Sequence, residues 1–507
     1  MLIPIEQVEK LSLKMSHQLK VGLEIHTQLK TARKLFSLSH NNTSLLSTKP
    51  NSEVSFFDVS LPGTQPLLNP EVLFCALKCA VAMNCQVHPE SRFDRKHYFY
   101  GDQPLGYQIT QRYHALANDG WVKLTRRYDG LPEDRKIRIE QIQIEQDTGR
   151  SLYRLEKGTT DVDFNRSNIP LIEMVTKPDF SSIEQVRSFI KKYARMLQNL
   201  DVCTGELETG AIRVDVNVNV DEHPRVELKN IPTTPAIVSA LRYEYTRQCK
   251  VIESGEKVAD VETRGWDGKK TYRLRSKEDA IDYRYMPDPE LPAIRLDTED
   301  VLAGIKNTMP PTIEQQMEDL MENFELKLRD VNILMSNPKL LQYYVQLYAE
   351  VVGHLKLENP INWVVHDLLG CISKSELDFS SDILPVRQFA TLLSLVADKT
   401  LTKRNAKLLL MHLVNNSGDR NKPLLDLVNA FNMNSKKESV SGDEASHVEE
   451  ICSLVLKNNQ NIVHDIVDKG KSGKINFLIG QCMRECHGKI DAQEFRVVLD
   501  KQLAAKI

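Results

Sequence analysis

The sequence of 507 residues has little excess of charge of either sign and no long hydrophobic run. Lys and Arg number 66 against 69 Asp and Glu, a formal net charge of -3, so the global basicity of many nucleic-acid-binding proteins is missing. No apolar run approaches the roughly 18 residues that a transmembrane helix needs. We therefore expect a soluble chain without a membrane span, with two or three domains, whose contact with RNA can only be local.

Cysteine is scattered rather than clustered. The nine cysteines include two pairs four residues apart, Cys75 with Cys79 and Cys482 with Cys486, which lie in apolar stretches and lack the C-x-x-C spacing of a zinc site. We predict buried helical thiols, no disulfide and a reducing compartment. The first twenty residues contain lysine but also glutamate and no arginine, so they make a poor transit peptide.

Four familiar catalytic motifs are missing from the sequence, namely G-x-x-x-x-G-K-[ST], G-x-G-x-x-G, H-E-x-x-H and G-x-S-x-G. Ordinary P-loop ATPases, dehydrogenases, zinc proteases and serine hydrolases therefore lose support. A free-standing metal hydrolase is a weaker alternative, because the chain shows no set of nucleophile, base and orienting residue.

The sequence changes from mixed to helical patterning near residue 295. Strict alternation over 212–220 predicts a strand with one polar face. A helix is predicted at 181–200, where Ser181 and Glu184 form a capping box. Because strands and helices follow no steady β-α-β rhythm, we predict an α+β fold with a mixed or largely antiparallel sheet, followed by helices. The predicted divisions are an N-terminal extension at 1–17, a sheet domain at 18–295, an all-α helical domain at 296–410 and a helical tail domain at 411–507 with a mobile loop at 432–447.

A carboxylate and an imidazole share one face of the first predicted strand. In 21–26 the alternation places Glu24 beside His26, with Cα atoms about 6.5–7 Å apart. That spacing allows the two side chains to share a metal ion or a phosphate-bearing ligand, although an ordinary surface pair has the same pattern.

Further carboxylates lie on two later strands. In 137–147 the apolar phase slips at Gln141, which predicts a bulge that turns Glu145 and Asp147 to one face. Glu173 lies in the apolar stretch 169–175, where an unpaired buried carboxylate would be costly. Several carboxylates with one imidazole and no cysteine cluster suit a hard ion such as Mg²⁺, which takes oxygen ligands and usually bridges substrate phosphates.

Basic residues interleave with aromatic residues at 93–100 and 263–267. The combination suits contact with phosphates and bases, and the edge of an aromatic core with charged side chains reaching solvent fits equally well. The lysines of 469–474 form either a solvated turn or a contact with an RNA backbone.

These motifs, in this order, resemble the B subunit of the aspartyl/glutamyl-tRNA amidotransferase family over essentially the whole chain. The matching segments are 21–26, 93–100, 106–109, 163–166, 170–175, 213–217, 227–230, 263–267 and 282–287. The resemblance implies a cradle-shaped, kinase-like catalytic domain, then a helical domain and a tail that engages tRNA.

The resemblance also implies an activity, that of an ATP-dependent ligase that forms a carbon–nitrogen bond with glutamine as the amido donor. The cradle would phosphorylate the side-chain carboxylate of glutamate misacylated onto tRNA(Gln), and ammonia would displace the phosphate. The implied partners are an amidase (A) subunit that releases ammonia from glutamine and a small third subunit, of the C type or a substitute. A catalytically decayed, tRNA-binding scaffold is the alternative.

By the same resemblance, Mg²⁺ and ATP are the expected cofactors. The implied metal ligands are Glu24, His26, Glu145 and Glu173, and the implied catalytic residues are Glu24, His26, Glu145 and Lys96. The implied ATP contacts are Lys96, Arg264 and Asp215, and Asp147 and Asp215 are the weaker candidates.

Two departures from the family pattern bear on the metals. Gln146 stands where many members carry a second glutamate, which puts one metal ligand in doubt. Many members also bind zinc through four cysteines in the segment that corresponds to 35–63, whereas this chain has Ser37 and Ser39 there and no cysteine, so we expect no zinc. Gln146 and the absence of cysteines from 35–63 make the chain more similar to organellar members than to bacterial ones. A mitochondrial matrix location is therefore expected by analogy.

Overall fold

The structure is a computed structural model, and it describes residues 17–42, 48–256, 261–276, 282–431, 433–434, 444–467, 474–485 and 492–504. Two compact units divide the chain, residues 1–315 and 316–507. The predictions for the N-terminal extension up to residue 16, for most of the loop at 432–447 and for the basic segment 469–473 concern residues outside this description.

A nine-stranded sheet organises the first unit. The described strands are β1 (Leu19–Gln28), β2 (Gln86–Val87), β3 (Glu90–Ser91), β4 (Asp94–His97), β5 (Tyr107–Thr110), β6 (Ala117–Leu124), β7 (Arg135–Gln146), β8 (Arg150–Arg154), β9 (Thr159–Asp163), β10 (Pro170–Thr176), β11 (Ile212–Val220), β12 (Val226–Leu228), β13 (Glu262–Trp266), β14 (Thr271–Ser276), β15 (Met286–Pro287) and β16 (Ile294–Arg295). The large sheet has the order β14-β13-β12-β11-β1-β10-β7-β6-β2, and small sheets form from β15-β4-β5, β16-β3 and β8-β9. Neighbouring strands are antiparallel except β12 and β13.

Helices cover one face of this sheet. The helices that begin in the first unit are α1 (Pro70–Ala82), α2 (Arg126–Asp129), α3 (Ile183–Asn199), α4 (Thr234–Glu253), α5 (Thr298–Asn307) and α6 (Ile313–Asn323). The apolar residues of β1 share one core with those of α1, α3 and α4. Thr27 of β1 also bonds to the hydroxyl of Tyr193 in α3 at 2.8 Å, which marks the same face. An antiparallel sheet packed on one side can leave its other face polar and solvated, and that second face carries the site described below.

The second unit contains helices and no strand among its described residues. Its further helices are α7 (Leu328–Met335), α8 (Pro338–Tyr348), α9 (Leu369–Lys374), α10 (Val386–Ala397), α11 (Lys403–Asn415), α12 (Leu424–Ala430), α13 (Glu444–Asn458), α14 (Gln460–Val467), α15 (Ile475–Glu485) and α16 (Ala492–Ala504), with π-helical turns at Ala349–His354 and Trp363–Leu368. α13, α15 and α16 bury a core of their own. Within the described part of the chain, no helix is both long enough and apolar enough to cross a membrane.

The predicted α+β class with a following helical region is confirmed. The alternating strand at 212–220 is present as β11. The predicted helix at 181–200 is α3, but its N-cap is Ser182 rather than Ser181, because the Ser182 side chain accepts the backbone N–H of Gln185. Cys75 and Cys79 are buried in α1 as predicted. The last described strand ends at Arg295, and the domain boundaries at 295 and 410 stay predictions.

A buried ion pair holds the loop between β1 and α1. The Lys34 Nζ lies 3.1 Å from Asp58 Oδ2, and neither side chain is exposed to solvent. Asp58 also accepts hydrogen bonds from Ser39 Oγ at 3.0 Å and from Asn168 Nδ2 at 3.1 Å. Burial lowers the pKa of Lys34, and the charge of Asp58 opposes that shift. The pair therefore ties this loop to the segment that leads into β10.

We expect Asp58→Asn to destabilise the first unit by about 3–5 kcal/mol, because removing one partner leaves the Lys34 ammonium buried and uncompensated. Denaturant unfolding of the full chain measures the change. A Trp363→Phe background leaves Trp121 and Trp266, both in the first unit, as fluorescent reporters.

The matched control is Lys30→Met, which removes an exposed ion pair with Asp201 and should cost at most about 1 kcal/mol. Equal effects of the two substitutions would contradict the importance of the buried pair.

Candidate functional site

A row of polar side chains crosses four neighbouring strands with β1 near its centre. Antiparallel pairing sets His26 opposite Arg213 of β11 on one side and opposite Glu173 of β10 on the other. Glu173 in turn stands opposite Gln143 of β7. Because directly paired residues of antiparallel strands point to the same face, all four side chains reach the face that the helices leave uncovered.

Glu24, His26, Glu145 and Glu173 come together on this face, and we name them the acidic cluster. The donor atoms of Glu24, His26 and Glu173 lie within 4.8 Å of one another. Glu145 Oε1 lies 3.3 Å from His26 Nε2. Glu145 is 3% exposed and Glu173 9% exposed. The structure thus brings together the four side chains predicted as metal ligands, and their role as ligands stays a prediction.

The pKa values of Glu24 and His26 in the acidic cluster are raised. Burial raises the pKa of Glu24 to about 7, and the charge of Glu173 and a hydrogen bond to it act in the same direction. Burial by itself would lower the pKa of His26, but the hydrogen bond to Glu145 and the charges of Glu145 and Glu173 raise it to about 9. Without a bound cation, His26 is therefore an imidazolium at neutral pH, and protons compensate part of the cluster's negative charge.

The predicted bulge is present in β7, one residue before Gln141. The pairing of β10 with β7 skips Glu140, since Val175 stands opposite Gln141 and Thr176 stands opposite Ile139. An extra residue of this kind reverses which side chains face the core. The bulge thereby turns Gln141, Gln143 and Glu145 toward the polar face of the sheet.

Two neutral side chains that the sequence analysis missed hold the carboxylates in place. Gln143 Nε2 donates hydrogen bonds to a carboxylate oxygen of Glu173 and to Thr110 Oγ1. The Thr110 hydroxyl donates to Glu145 Oε2 at 3.4 Å. The spacing of Gln143 two residues before Glu145 was the available signal, because that spacing puts both on one strand face.

Asp147 lies beside the cluster and is engaged by two arginines. Its Oδ2 lies 3.0 Å from Arg213 Nη2, and its Oδ1 lies 3.7 Å from Arg166 Nε. Burial by itself would raise the pKa of Asp147, but the charges of Arg213 and Arg166 lower it. Asp147 therefore holds Arg213 beside His26, and this use of its carboxylate explains why it is the weaker candidate ligand.

Asp215 stands opposite Glu24 in the pairing of β11 with β1. It forms an ion pair with Lys229 Nζ at 3.0 Å, and the same ammonium lies 3.1 Å from Glu227 Oε1. Burial raises the pKa of Asp215, while the charge of Lys229 lowers it. The structure places Asp215 next to the cluster with a lysine counterion, and its predicted contact with ATP stays a prediction.

Lys96 reaches the cluster from the small sheet β15-β4-β5. It stands opposite Gln108 of β5, whose Nε2 donates to the backbone oxygen of Gln146 at 2.8 Å and so fastens the small sheet to β7. Burial by itself would lower the pKa of Lys96, but the charge of Glu145 and other nearby groups raise it. The ammonium therefore stays charged and faces the carboxylates.

Arg264 lies on the opposite face of the large sheet. It stands opposite Leu228 of β12, whose side chain belongs to the helix-covered core. Its guanidinium donates to Glu262 Oε1 at 3.0 Å and lies 3.5 Å from Glu244 Oε2 of α4. The structure does not bring Arg264 to the acidic cluster, and its predicted contact with ATP stays a prediction.

Gln146 also points away from the cluster. Side chains alternate along β7, so Gln146 shares the face of Ile144, whereas Glu145 faces the carboxylates. The Gln146 side chain is buried, and its Oε1 has no hydrogen-bond partner among the described residues. The glutamine therefore removes no carboxylate that would face the acidic cluster.

Two family models match the chain. Residues 19–302 match the model described as the GatB/GatE catalytic domain, and residues 346–503 match the model described as the GatB domain. The first match contains every residue of the acidic cluster.

Relatives match over nearly their whole length. The chain is 46% identical over 492 residues to the mitochondrial B subunit of glutamyl-tRNA(Gln) amidotransferase from Komagataella phaffii, an alignment that covers 96% of this chain and 99% of the relative. The protein of the same name from Scheffersomyces stipitis is 48% identical over 493 residues, 96% of each chain. That from Zygosaccharomyces rouxii is 43% identical over 536 aligned residues, 99% of this chain and 98% of the relative.

The raised pKa values predict that the protein without a bound cation loses stability as the pH rises. A group whose pKa is raised on folding contributes stability below its unfolded pKa and loses it as the pH rises through its folded pKa. For Glu24 the window runs from 4.5 to about 7, and for His26 from 6.5 to about 9. Denaturant unfolding at a series of pH values, with a chelator present, measures the effect.

Glu24→Gln should reduce the pH dependence of the free energy of unfolding in the lower window. His26→Gln should reduce it in the upper window. His354→Gln, at an exposed position of the second unit, is the control and should change neither. A slope between pH 6.5 and 9 that is unchanged in His26→Gln would contradict the raised pKa of His26.

Proposed function

The chain belongs to the GatB/GatE family, and from this premise we propose that it is the subunit of a glutamyl-tRNA(Gln) amidotransferase that activates the substrate carboxylate. The observation that carries the proposal is the acidic cluster, in which three side chains place donor atoms within 4.8 Å of one another. A grouping of carboxylates and an imidazole on an uncovered sheet face suits a cation and the phosphates that accompany it.

The proposed reaction has two steps. A side-chain carboxylate oxygen of glutamate esterified to tRNA(Gln) attacks the γ-phosphorus of ATP, the bond to the bridging oxygen breaks, and ADP leaves. Ammonia then attacks the acyl carbon, phosphate leaves, and the nitrogen loses a proton to give the amide. Activation comes first because a carboxylate is a poor acylating agent until one oxygen becomes a phosphate leaving group.

The residues present fit Mg²⁺. Mg²⁺ prefers oxygen ligands and is usually held by one or two carboxylates together with substrate phosphates. The protons that Glu24 and His26 retain because their pKa values are raised compensate charge that a cation can compensate instead. We propose that Glu24, His26, Glu145 and Glu173 hold the ion. When bound, it neutralises charge on the transferring phosphoryl group.

Other residues of the chain position the reactants or the ligands. The Lys96 ammonium interacts with the charges of Glu145 and Glu173, and it can donate a hydrogen bond to a phosphate oxygen bound beside them. Gln143 and Thr110 fix the carboxylates of Glu173 and Glu145 through their hydrogen bonds. Preorganised donors and ligands of this kind avoid reorganisation at the moment of reaction.

The test is ATP-dependent conversion of Glu-tRNA(Gln) to Gln-tRNA(Gln) by the purified complex of this chain with its amidase and third subunits. We expect the double substitution Glu24→Ala with His26→Ala to lower kcat by about 100-fold or more, since a preorganised electrostatic contact is lost. Chelation should abolish turnover, and Mg²⁺ should restore it.

The matched control is Glu140→Gln, a carboxylate of the same sheet that is exposed and skipped by the pairing with β10. It should keep full activity. Full activity in the Glu24→Ala, His26→Ala variant would instead support the alternative of a tRNA-binding scaffold whose chemistry lies elsewhere.

We also propose the partners and location that the relatives' names suggest, namely an amidotransferase complex in mitochondria. Affinity purification of the tagged full chain from its source cell should recover an amidase and a small third subunit. Imaging of a fusion tagged at the C-terminus should show a mitochondrial signal, and a diffuse cytosolic signal would overturn the location.

A further inference from the structure

A ladder of three tyrosines leads from the protein surface to Lys96. The rings of Tyr113 and Tyr285 have centroids 6.3 Å apart, and those of Tyr285 and Tyr283 lie 6.2 Å apart, both pairs edge to face. The Lys96 Nζ lies 4.7 Å from the centroid of Tyr283. We name Tyr113, Tyr285 and Tyr283 the tyrosine ladder.

The outer end of the ladder is exposed and yet firmly held. Tyr113 is 61% exposed, so its ring adds little to the core. Its backbone N–H donates to Asp94 Oδ2 at 3.0 Å, and the N–H of Arg112 donates to the same oxygen at 2.8 Å. Asp94 is 1% exposed, so this anchor is buried. The backbone at Tyr113 is therefore anchored while the ring is open to solvent, which leaves the ring available to stack against a ligand.

Positive charge accompanies the ladder along its length. The guanidinium of Arg112 lies 5.7 Å from the centroid of Tyr285, and Lys96 caps the inner ring. The ladder runs beside the acidic cluster, because the charges of Glu145 and Glu173 act on both Lys96 and the middle ring, Tyr285. Two of the three rings thus have a cation beside them, Tyr285 with Arg112 and Tyr283 with Lys96.

Aromatic rings interleaved with cations fit a single-stranded nucleic acid. Bases stack on the rings whatever their sequence, and the cations meet the phosphates between them. Sequence-tolerant binding of this kind requires unpaired nucleotides, and a tRNA presents unpaired nucleotides at the 3′ end that carries the amino acid.

We propose that the tyrosine ladder is a stacking platform for the unpaired 3′-terminal nucleotides of the tRNA, with Tyr113 as the outermost contact. The ladder guides the esterified amino acid from the surface toward Lys96 and the acidic cluster. This inference rests on the proposed function, and it adds a binding surface to that function.

The test compares binding of two unacylated tRNA(Gln) molecules to the assembled complex, one with its full 3′ end and one without its last three nucleotides. Fluorescence anisotropy gives both dissociation constants. Tyr113→Ala should weaken binding of the full-length tRNA roughly tenfold, as expected for one lost stacking contact, and leave binding of the shortened tRNA unchanged. Tyr113→Phe, which keeps the ring, should bind both molecules like the unsubstituted protein.

Tyr153→Ala is the matched control, because Tyr153 is also strongly exposed, at 73%, but lies on the separate β8-β9 hairpin. It should bind the two tRNA molecules with unchanged preference. Equal weakening of both molecules by Tyr113→Ala, or no weakening, would overturn the stacking role. A raised KM for ATP with unchanged tRNA binding would overturn it as well and assign the ring to the adenine of ATP.

The two proposals fail separately. If the unsubstituted complex amidates Glu-tRNA(Gln) with ATP and Tyr113→Ala binds both tRNA molecules normally, only the stacking platform is wrong. If the unsubstituted complex neither binds tRNA(Gln) nor amidates it, the proposed function itself is overturned.

Discussion

The register of β1 between β10 and β11 is the constraint on which the rest of the site depends. It sets His26 between Arg213 and Glu173. Because side chains alternate with a period of two, a shift by one residue would turn Glu24 and His26 into the helix-covered core and bring apolar residues to the polar face. Those apolar residues of β1 are at most 2% exposed. The hydrophobic effect on one face therefore positions the charged groups on the other.

Carboxylates gathered at this density repel one another, and the structure offsets the repulsion in three ways. Protons do so where the pKa is raised, at Glu24 and His26. Fixed cations do so at the margins, where Lys229 pairs with Asp215 and Arg213 pairs with Asp147. Neutral donors hold the remaining oxygens. Lys229 and Arg213 lie at the edges of the cluster. The electrostatic attraction for a bound cation is therefore strongest at the centre, among the carboxylates.

The local sequence pattern predicted features of single strands, but it could not predict which strands lie side by side. Alternation predicted the shared face of Glu24 and His26, and the phase slip predicted the bulge in β7, because both are properties of one strand. The meeting of Glu173 with His26 depends on the strand order β11-β1-β10-β7, which no local pattern contains. The face that Arg264 occupies likewise depends on its pairing with Leu228, which no local pattern contains.

The small sheet β15-β4-β5 stands beside the polar face, and its third strand, β15, comes late in the sequence. The small sheet that carries Lys96 is completed by β15, which pairs with β4. Arg95 of β4 forms a 2.7 Å ion pair with Asp288, 193 residues away, whose side chain is fully buried. Contacts of such long sequence separation form against a high entropy cost. The Pro-rich segment after β15 thus supports the candidate site, because without Asp288 the strand that carries Lys96 loses its buried anchor.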